Sequence, residues 1–293
     1  MGKFNLPKSK KRNIILGLMF FVGFIIASYP VISNFYYRQT ANEEINTFIN
    51  KSEEMPIEEL NRKLDLARAY NKTLDPSRLS DPYSDKEKEG IAEYARMLEV
   101  EEKIGLVRIP KINQDLPVYA GTSDRVLERG CGHLEGTSLP IGGINTHSVI
   151  TAHRGLPKAK LFRELNKLKE GDIFYFQNIN TTLAYEVDQI LTVEPWDFEP
   201  VLVIEGEDMM TLLTCTPYMI NSHRLLVRGH RVDYVAPVKE DNLANIIPDF
   251  TYRDYLPFAL IILLVLLAIA VYYFIDYRKV KKKVEDISNE KKN

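Results

Sequence analysis

Two uncharged apolar runs stand near the ends of the chain, at 13–33 and 256–275. The first is centred on Leu16-Gly17-Leu18-Met19-Phe20-Phe21-Val22 and the second on Leu260-Ile261-Ile262-Leu263-Leu264-Val265. Each is long enough to cross a bilayer as a helix. Between them the pattern changes twice. Over 34–75, Glu43, Glu44, Glu53, Glu54, Glu58 and Glu59 alternate with Ile45, Phe48, Ile49, Ile57, Leu60, Leu64, Leu66 and Ala67. That spacing gives an apolar stripe and a charged face, and predicts an amphipathic helical pair packed on a domain. Leu74 to Ser84 holds Pro76 and Pro82 among small polar residues and reads as a loop, followed by a helical stretch over 85–98.

From Ile104 the period shortens. Gly105 to Pro110, Leu116 to Tyr119, Ser148 to His153, Asp172 to Phe176, Leu183 to Val187, Met209 to Thr214 and Arg224 to Val227 read as short strands, with a short helix over Leu161 to Leu168. The strands at 172–176 and 183–187 pair across a polar turn at Asn178-Ile179-Asn180-Thr181. Many short strands with turns between them predict a mainly β fold, a closed antiparallel barrel.

The flanks of the apolar runs set an orientation. Lys3, Lys8, Lys10, Lys11 and Arg12 precede the first; Arg278, Lys279, Lys281, Lys282 and Lys283 follow the second. Basic flanks stay cytoplasmic, so both termini are inside and the middle of the chain is outside. The first run also has the length of a signal peptide. Pro30-Val31-Ile32 and bulky Phe35-Tyr36-Tyr37 offer no small-residue cleavage site, which favours an uncleaved anchor. The outer segment carries 26 basic against 36 acidic residues, a balance that excludes nucleic acid as a partner. Its two cysteines either pair or leave a working thiol.

Cys215 ends an apolar strand just before Thr216-Pro217, where the strand opens onto a barrel rim. A thiol attacks a carbonyl only as thiolate and needs a cationic or proton-accepting neighbour. Taken alone, the cysteine fits a buried small residue better. Arg224, nine residues further on, changes that balance, because a hairpin of this size brings neighbouring strand ends together. A guanidinium there holds a thiolate, a substrate carbonyl or a developing oxyanion; the alternative is a surface salt bridge. His133, His147, His153, His223 and His230 compete for the role of base. His153 ends an apolar strand ahead of an Arg154-Gly155 turn and is favoured over His133; His147 reads as a loop residue, and His223 and His230 as surface positions. The histidines and acids show no metal-ligand spacing, and the chemistry needs no cofactor.

The stretch from Thr211 through Cys215 and Arg224 to Gly229 resembles the signature of sortases, the surface transpeptidases of Gram-positive bacteria. Ile150-Thr151-Ala152-His153-Arg154-Gly155 is similar to their histidine motif, and Gly132 to Pro140 to an upstream strand and loop. The resemblance implies an eight-stranded β-barrel over 100–235, with Cys215 as nucleophile, His153 as acid/base and Arg224 as transition-state support. Two membrane spans and the Asp81-Pro82-Tyr83 loop resemble the class C, pilus-assembling branch, in which Asp81, Pro82 and Tyr83 would form a lid over the catalytic site. Cys131 stands where a small or apolar residue is expected and should pack as one, since a disulfide to Cys215 would consume the nucleophile.

The implied organisation is a cytoplasmic basic tail at 1–12, a transmembrane helix at 13–33 and a helical region at 34–99 with its lid near 75–84. The catalytic barrel follows at 100–235, then a linker at 236–255, a second transmembrane helix at 256–275 and a cytoplasmic tail at 276–293. The implied reaction cleaves an LPXTG-like sorting signal through a thioester and passes it to a lysine of a pilin subunit. Two alternatives are a housekeeping sortase that anchors proteins to peptidoglycan and a non-catalytic membrane adaptor that binds sorting signals.

Overall fold

The computed structural model describes residues 8–74, 98–100, 102–156, 159–236 and scattered positions between 265 and 278. Contacts divide the chain into one unit of 1–33 with 246–293 and a second unit of 34–245, which holds the barrel.

Helix α1 runs Lys8–Glu53 and α2 runs Ile57–Asn71, separated at Pro56, whose ring cannot continue the helix. Ala41, Ile45 and Phe48 bury one stripe of α1, and Leu64 and Ala67 one stripe of α2; Ile45, Phe48, Leu64 and Ala67 join the main core. Polar ties fix both helices to the barrel. Tyr37 donates its hydroxyl to the Arg129 carbonyl at 2.6 Å, and Lys103 pairs with Glu44. Asn71 donates to the Leu139 carbonyl at 3.1 Å and accepts from its N–H at 2.7 Å.

Eight strands follow: β1 Lys103–Ile109, β2 Gln114–Ala120, β3 Cys131–His133, β4 Thr146–Thr151, β5 Ile173–Gln177, β6 Thr182–Val193, β7 Asp208–Thr216 and β8 His223–Val232. Helix α3, Asp124–Arg129, links β2 to β3 and is capped by Ser123, whose hydroxyl accepts from the Val126 N–H at 3.4 Å. The sheet closes in the order β1-β2-β3-β4-β7-β8-β6-β5. The barrel is mixed rather than antiparallel: β2 and β3 are parallel, and so are β4 and β7. Alternation in the sequence reports faces and not partner direction, which is why the parallel pairs were missed. The short helix expected over 161–168 is a set of turns ending in a 3-10 turn at Leu165–Lys167. The helical stretch expected over 85–98 falls almost wholly outside the described residues.

Met210, Leu212, Ile150 and Val227 belong to the main core inside the barrel. Leu213, Val149, Leu226 and Leu134 face the other way and form a second, smaller cluster with Val201 from the β6–β7 connection. Gly132 makes the close approach of β3 to the β2–α3 turn possible, because a Cβ there would overlap the Gly121 carbonyl.

Among the described residues no helix is long and apolar enough to cross a membrane. The span expected at 13–33 lies within α1, and most of the one expected at 256–275 lies outside the described residues. Both therefore belong to the functional proposal and not to the observed fold.

Candidate active site

Strand β7 lies between β4 and β8, and its register fixes what surrounds its end. On one side Thr151 of β4 pairs in parallel with Leu213. The ladder carries on past the strand: the Ala152 N–H donates to the Leu213 carbonyl at 3.2 Å, and the Thr214 hydroxyl donates to the Ala152 carbonyl at 2.7 Å. His153 is the next residue after this last tie, two positions beyond Thr151 as Cys215 is two beyond Leu213. On the other side β8 runs antiparallel, with Arg224 directly opposite Cys215. Directly opposed residues of an antiparallel pair project from one face, so Cys215 and Arg224 share a face. Strand parity makes that the face of Leu213 and Leu226. The cysteine therefore belongs to the outer wall of the barrel, beside the smaller core.

Both groups are largely covered. Cys215 is 5% exposed and Arg224 7%. Arg224 folds back over the β7–β8 turn, and its Nη1 donates to the Asn221 carbonyl at 2.9 Å and the His223 carbonyl at 3.0 Å. Met219 and Asn221 hold left-handed φ of 68° and 61° in that turn, and the Thr216–Pro217 peptide is cis. His153 is half-buried, and its carbonyl accepts from the Phe162 N–H at 3.2 Å.

The other histidines separate cleanly. His147 is not a loop residue: it sits on β4, fully buried. Its Nδ1 donates to the Leu202 carbonyl at 2.8 Å and its Nε2 accepts from the Thr211 hydroxyl at 2.8 Å, which ties the β6–β7 connection to the outer wall. His133 is also fully buried and donates through Nε2 to the Ser138 carbonyl at 2.8 Å. Burial pushes both down to about 4, well below the ordinary imidazole value. His223 and His230 are partly exposed, beside Glu194 and Asp188. Cys131 is fully buried in the main core and burial raises its thiol well above the ordinary value; neither cysteine is in a disulfide. Among the described residues no group of three or more metal-ligating side chains gathers. Asp81, Pro82 and Tyr83 lie outside the described residues.

One residue of the site was read only as part of a turn. Arg154, next to His153, donates through Nη1 to the Thr216 hydroxyl at 2.6 Å and to the Cys215 carbonyl at 3.5 Å, and through Nε to the Arg163 carbonyl at 3.3 Å. Burial lowers its guanidinium pKa, and the neighbouring Cys215 and Tyr218 act against that. The strand end that carries Cys215 is thus pinned by a cation from the β4 side.

The fold recurs in known proteins. A pilus-related Sortase C of Group B Streptococcus is 58% identical, with a TM-score of 0.62, over 64% of this chain and 97% of that one. The chain belongs to the sortase family. The family profile, described as Sortase domain, matches residues 107–232. A Sortase C of Streptococcus pneumoniae, whose crystal structure is described as giving insight into catalysis and pilin substrate specificity, is 59% identical with a TM-score of 0.63, over 67% of this chain and 100% of that one. At lower identity, Sortase A of Bacillus anthracis matches at 24% over 228 residues, 78% of this chain and 97% of that protein. The structural neighbours place this sortase in class C, and it is a cysteine transpeptidase of that family.

Proposed function

We propose that this sortase assembles pili: it cleaves an LPXTG-like sorting signal through a thioester and joins the new carboxyl end to a lysine of another pilin subunit. The observation that carries the reading is the order across the sheet, with His153 two residues past the end of β4, Cys215 on β7 and Arg224 on β8. The Cys215 thiolate attacks the Thr–Gly carbonyl and forms a C–S bond. The Arg224 guanidinium, opposite, stabilises the oxyanion. As the C–N bond breaks, the protonated His153 gives its proton to the leaving glycine amine. Neutral His153 then takes a proton from the acceptor lysine as its Nζ attacks the thioester, and the thiolate leaves. Aminolysis outruns hydrolysis because the amine is held in place. Likeness to streptococcal Sortase C structures supports pilin as the substrate class.

The reading includes two membrane spans, at 13–33 and 256–275, with the barrel outside the cell and both termini in the cytoplasm. Within 13–33, Leu18, Phe20, Phe21, Phe24 and Ile32 are each more than half exposed, a surface suited to lipid. It also includes Asp81, Pro82 and Tyr83 as a lid over Cys215, on the strength of the sequence resemblance. Competition between a pilin subunit and a peptidoglycan-type amine as acceptors tests the function. Isopeptide-linked pilin should dominate; preferential transfer to the cell-wall amine would favour the housekeeping role.

A further inference from the structure

The segment that joins β6 to β7, residues 194–207, packs on the outer wall that carries Cys215. Its ends are tied to nearby elements. The Glu207 carbonyl accepts from the Asn145 N–H at 2.8 Å and the Thr146 N–H at 3.2 Å, and exposed Glu194 lies 3.3 Å from His223. Its middle is seated differently. Val201 is buried among Leu134, Val149, Leu213 and Leu226, with Phe198 packed against them. The next residue, Leu202, leaves its side chain partly exposed and turns its carbonyl to His147 Nδ1 at 2.8 Å.

His147 and Thr211 are both fully buried. A carbonyl only accepts, so the His147 proton sits on Nδ1. Nε2 of the neutral ring must then accept, and the Thr211 hydroxyl donates to it at 2.8 Å. One tautomer satisfies all three groups. Thr211 stands opposite Arg228 in the β7–β8 ladder, and Asp188 holds that guanidinium at 3.0 and 3.2 Å. Leu213 and Leu226 thus form an apolar row between the Cys215–Arg224 row and the polar Thr211–Arg228 row, about 7 Å from each at ~3.3 Å per residue. An acyl donor whose carbonyl meets Cys215 has this row as the nearest apolar surface of the wall, and Val201 forms its side. We propose that His147 and Thr211 are positioning residues for the acyl donor: by holding the Leu202 carbonyl they seat Val201 against Leu213 and Leu226, and so set the fit of the leucine and proline of the sorting signal. The assignment rests on the reaction proposed for Cys215. Both residues act through Val201 and not on the reacting carbonyl.

Three variants of the full chain test this. In His147→Asn the side-chain amide NH2 stands where Nδ1 stood and keeps a donor for Leu202; in His147→Gln it stands near Nε2 and that donor is lost. Thr211→Val keeps the shape of the side chain and removes the hydroxyl, and carries the test should His147→Gln fail to fold. Denaturant melts show which variants are folded. In steady-state cleavage of an LPXTG peptide, His147→Gln should raise KM about tenfold, the effect of one buried hydrogen bond, with kcat changed less than about twofold. Thr211→Val should move KM the same way, and His147→Asn should recover most of the loss. Preference for this peptide over one with alanine in place of its leucine should shrink about tenfold in His147→Gln. Hydrogen exchange over 199–204, measured without substrate, should quicken in His147→Gln and stay near wild type in His147→Asn. Unchanged exchange in His147→Gln would overturn the hold on Leu202. Unchanged KM and peptide preference, or an asparagine variant no better than the glutamine one, would overturn the positioning role. Quickened exchange in a protein whose wild type forms no thioester would keep the hold on Leu202 and overturn the reading of Cys215, and with it the role in seating an acyl donor.

Discussion

Cys215 and Arg224 are directly opposed residues of the β7–β8 ladder, on the outer wall of the barrel. The guanidinium is held by two backbone carbonyls of the turn that joins those strands. Backbone carbonyls therefore help to set its position relative to the thiol.

Arg224→Ala should slow acylation by a sorting peptide about 10²–10³-fold, the usual effect of losing an oxyanion donor. Arg224→Lys keeps the charge without the planar fork and should recover only a small part. Stopped-flow release of the leaving group from a fluorogenic peptide measures both. Wild-type acylation in Arg224→Ala would remove the arginine from the mechanism.

Arg154→Gln should cost about 1–3 kcal/mol of stability, because buried partners at Thr216 and Cys215 lose a charged donor. Removing a cation from beside the thiol should also move the pH profile of Cys215 alkylation to higher pH. Alkylation rates followed from pH 5 to 10, alongside thermal unfolding, separate the electrostatic effect from the structural one. An unchanged profile in a folded variant would confine Arg154 to packing.

His133 and His147 give the barrel a specific acid sensitivity. Both fold neutral, held down to about 4, while the unfolded imidazole keeps its ordinary value of 6.5. Above that value neither state binds the proton and pH has no effect through these groups. As pH falls from 6.5 towards 4, only the unfolded chain takes it up, so stability drops by up to about 1.4 kcal/mol per pH unit for each histidine. Denaturant melts at intervals across that window should show the slope, and His147→Gln should flatten it by about half. Equal slopes in both proteins would contradict the assignment.

Cys131 and Cys215 should differ sharply as thiols. Burial without any charged partner keeps Cys131 protonated and inert. Ellman titration of native protein should find only Cys215, and denaturation should expose both. Cys131→Ala should retain activity. Rapid native labelling of Cys131 would show that the core around it opens.

Much of the barrel was legible because strand patterning survives even where both faces are buried. Seven of the eight strands lie at stretches the alternation identified, though β6 extends to Val193, beyond the expected Val187. The alternation did not resolve β3, which has three residues and too little pattern for a period to show, or α3 beside it. Arg154 was missed for a different reason. Its role depends on β4 and β7 running in parallel, a long-range pairing that leaves no mark on local sequence. His147 was misread because it stands ahead of the apolar run of β4, whereas Leu202 and Thr211 satisfy it inside the protein.

The central claim is that Cys215 forms a thioester with a sorting signal. Intact-mass spectrometry of the full chain, quenched in acid after mixing with an LPXTG peptide, tests it most directly. The account predicts an adduct of the acyl fragment that maps to the peptide containing Cys215, is released by hydroxylamine and is absent from Cys215→Ala. An adduct that persists in Cys215→Ala, or a wild-type protein that cleaves the peptide without ever carrying one, would contradict it.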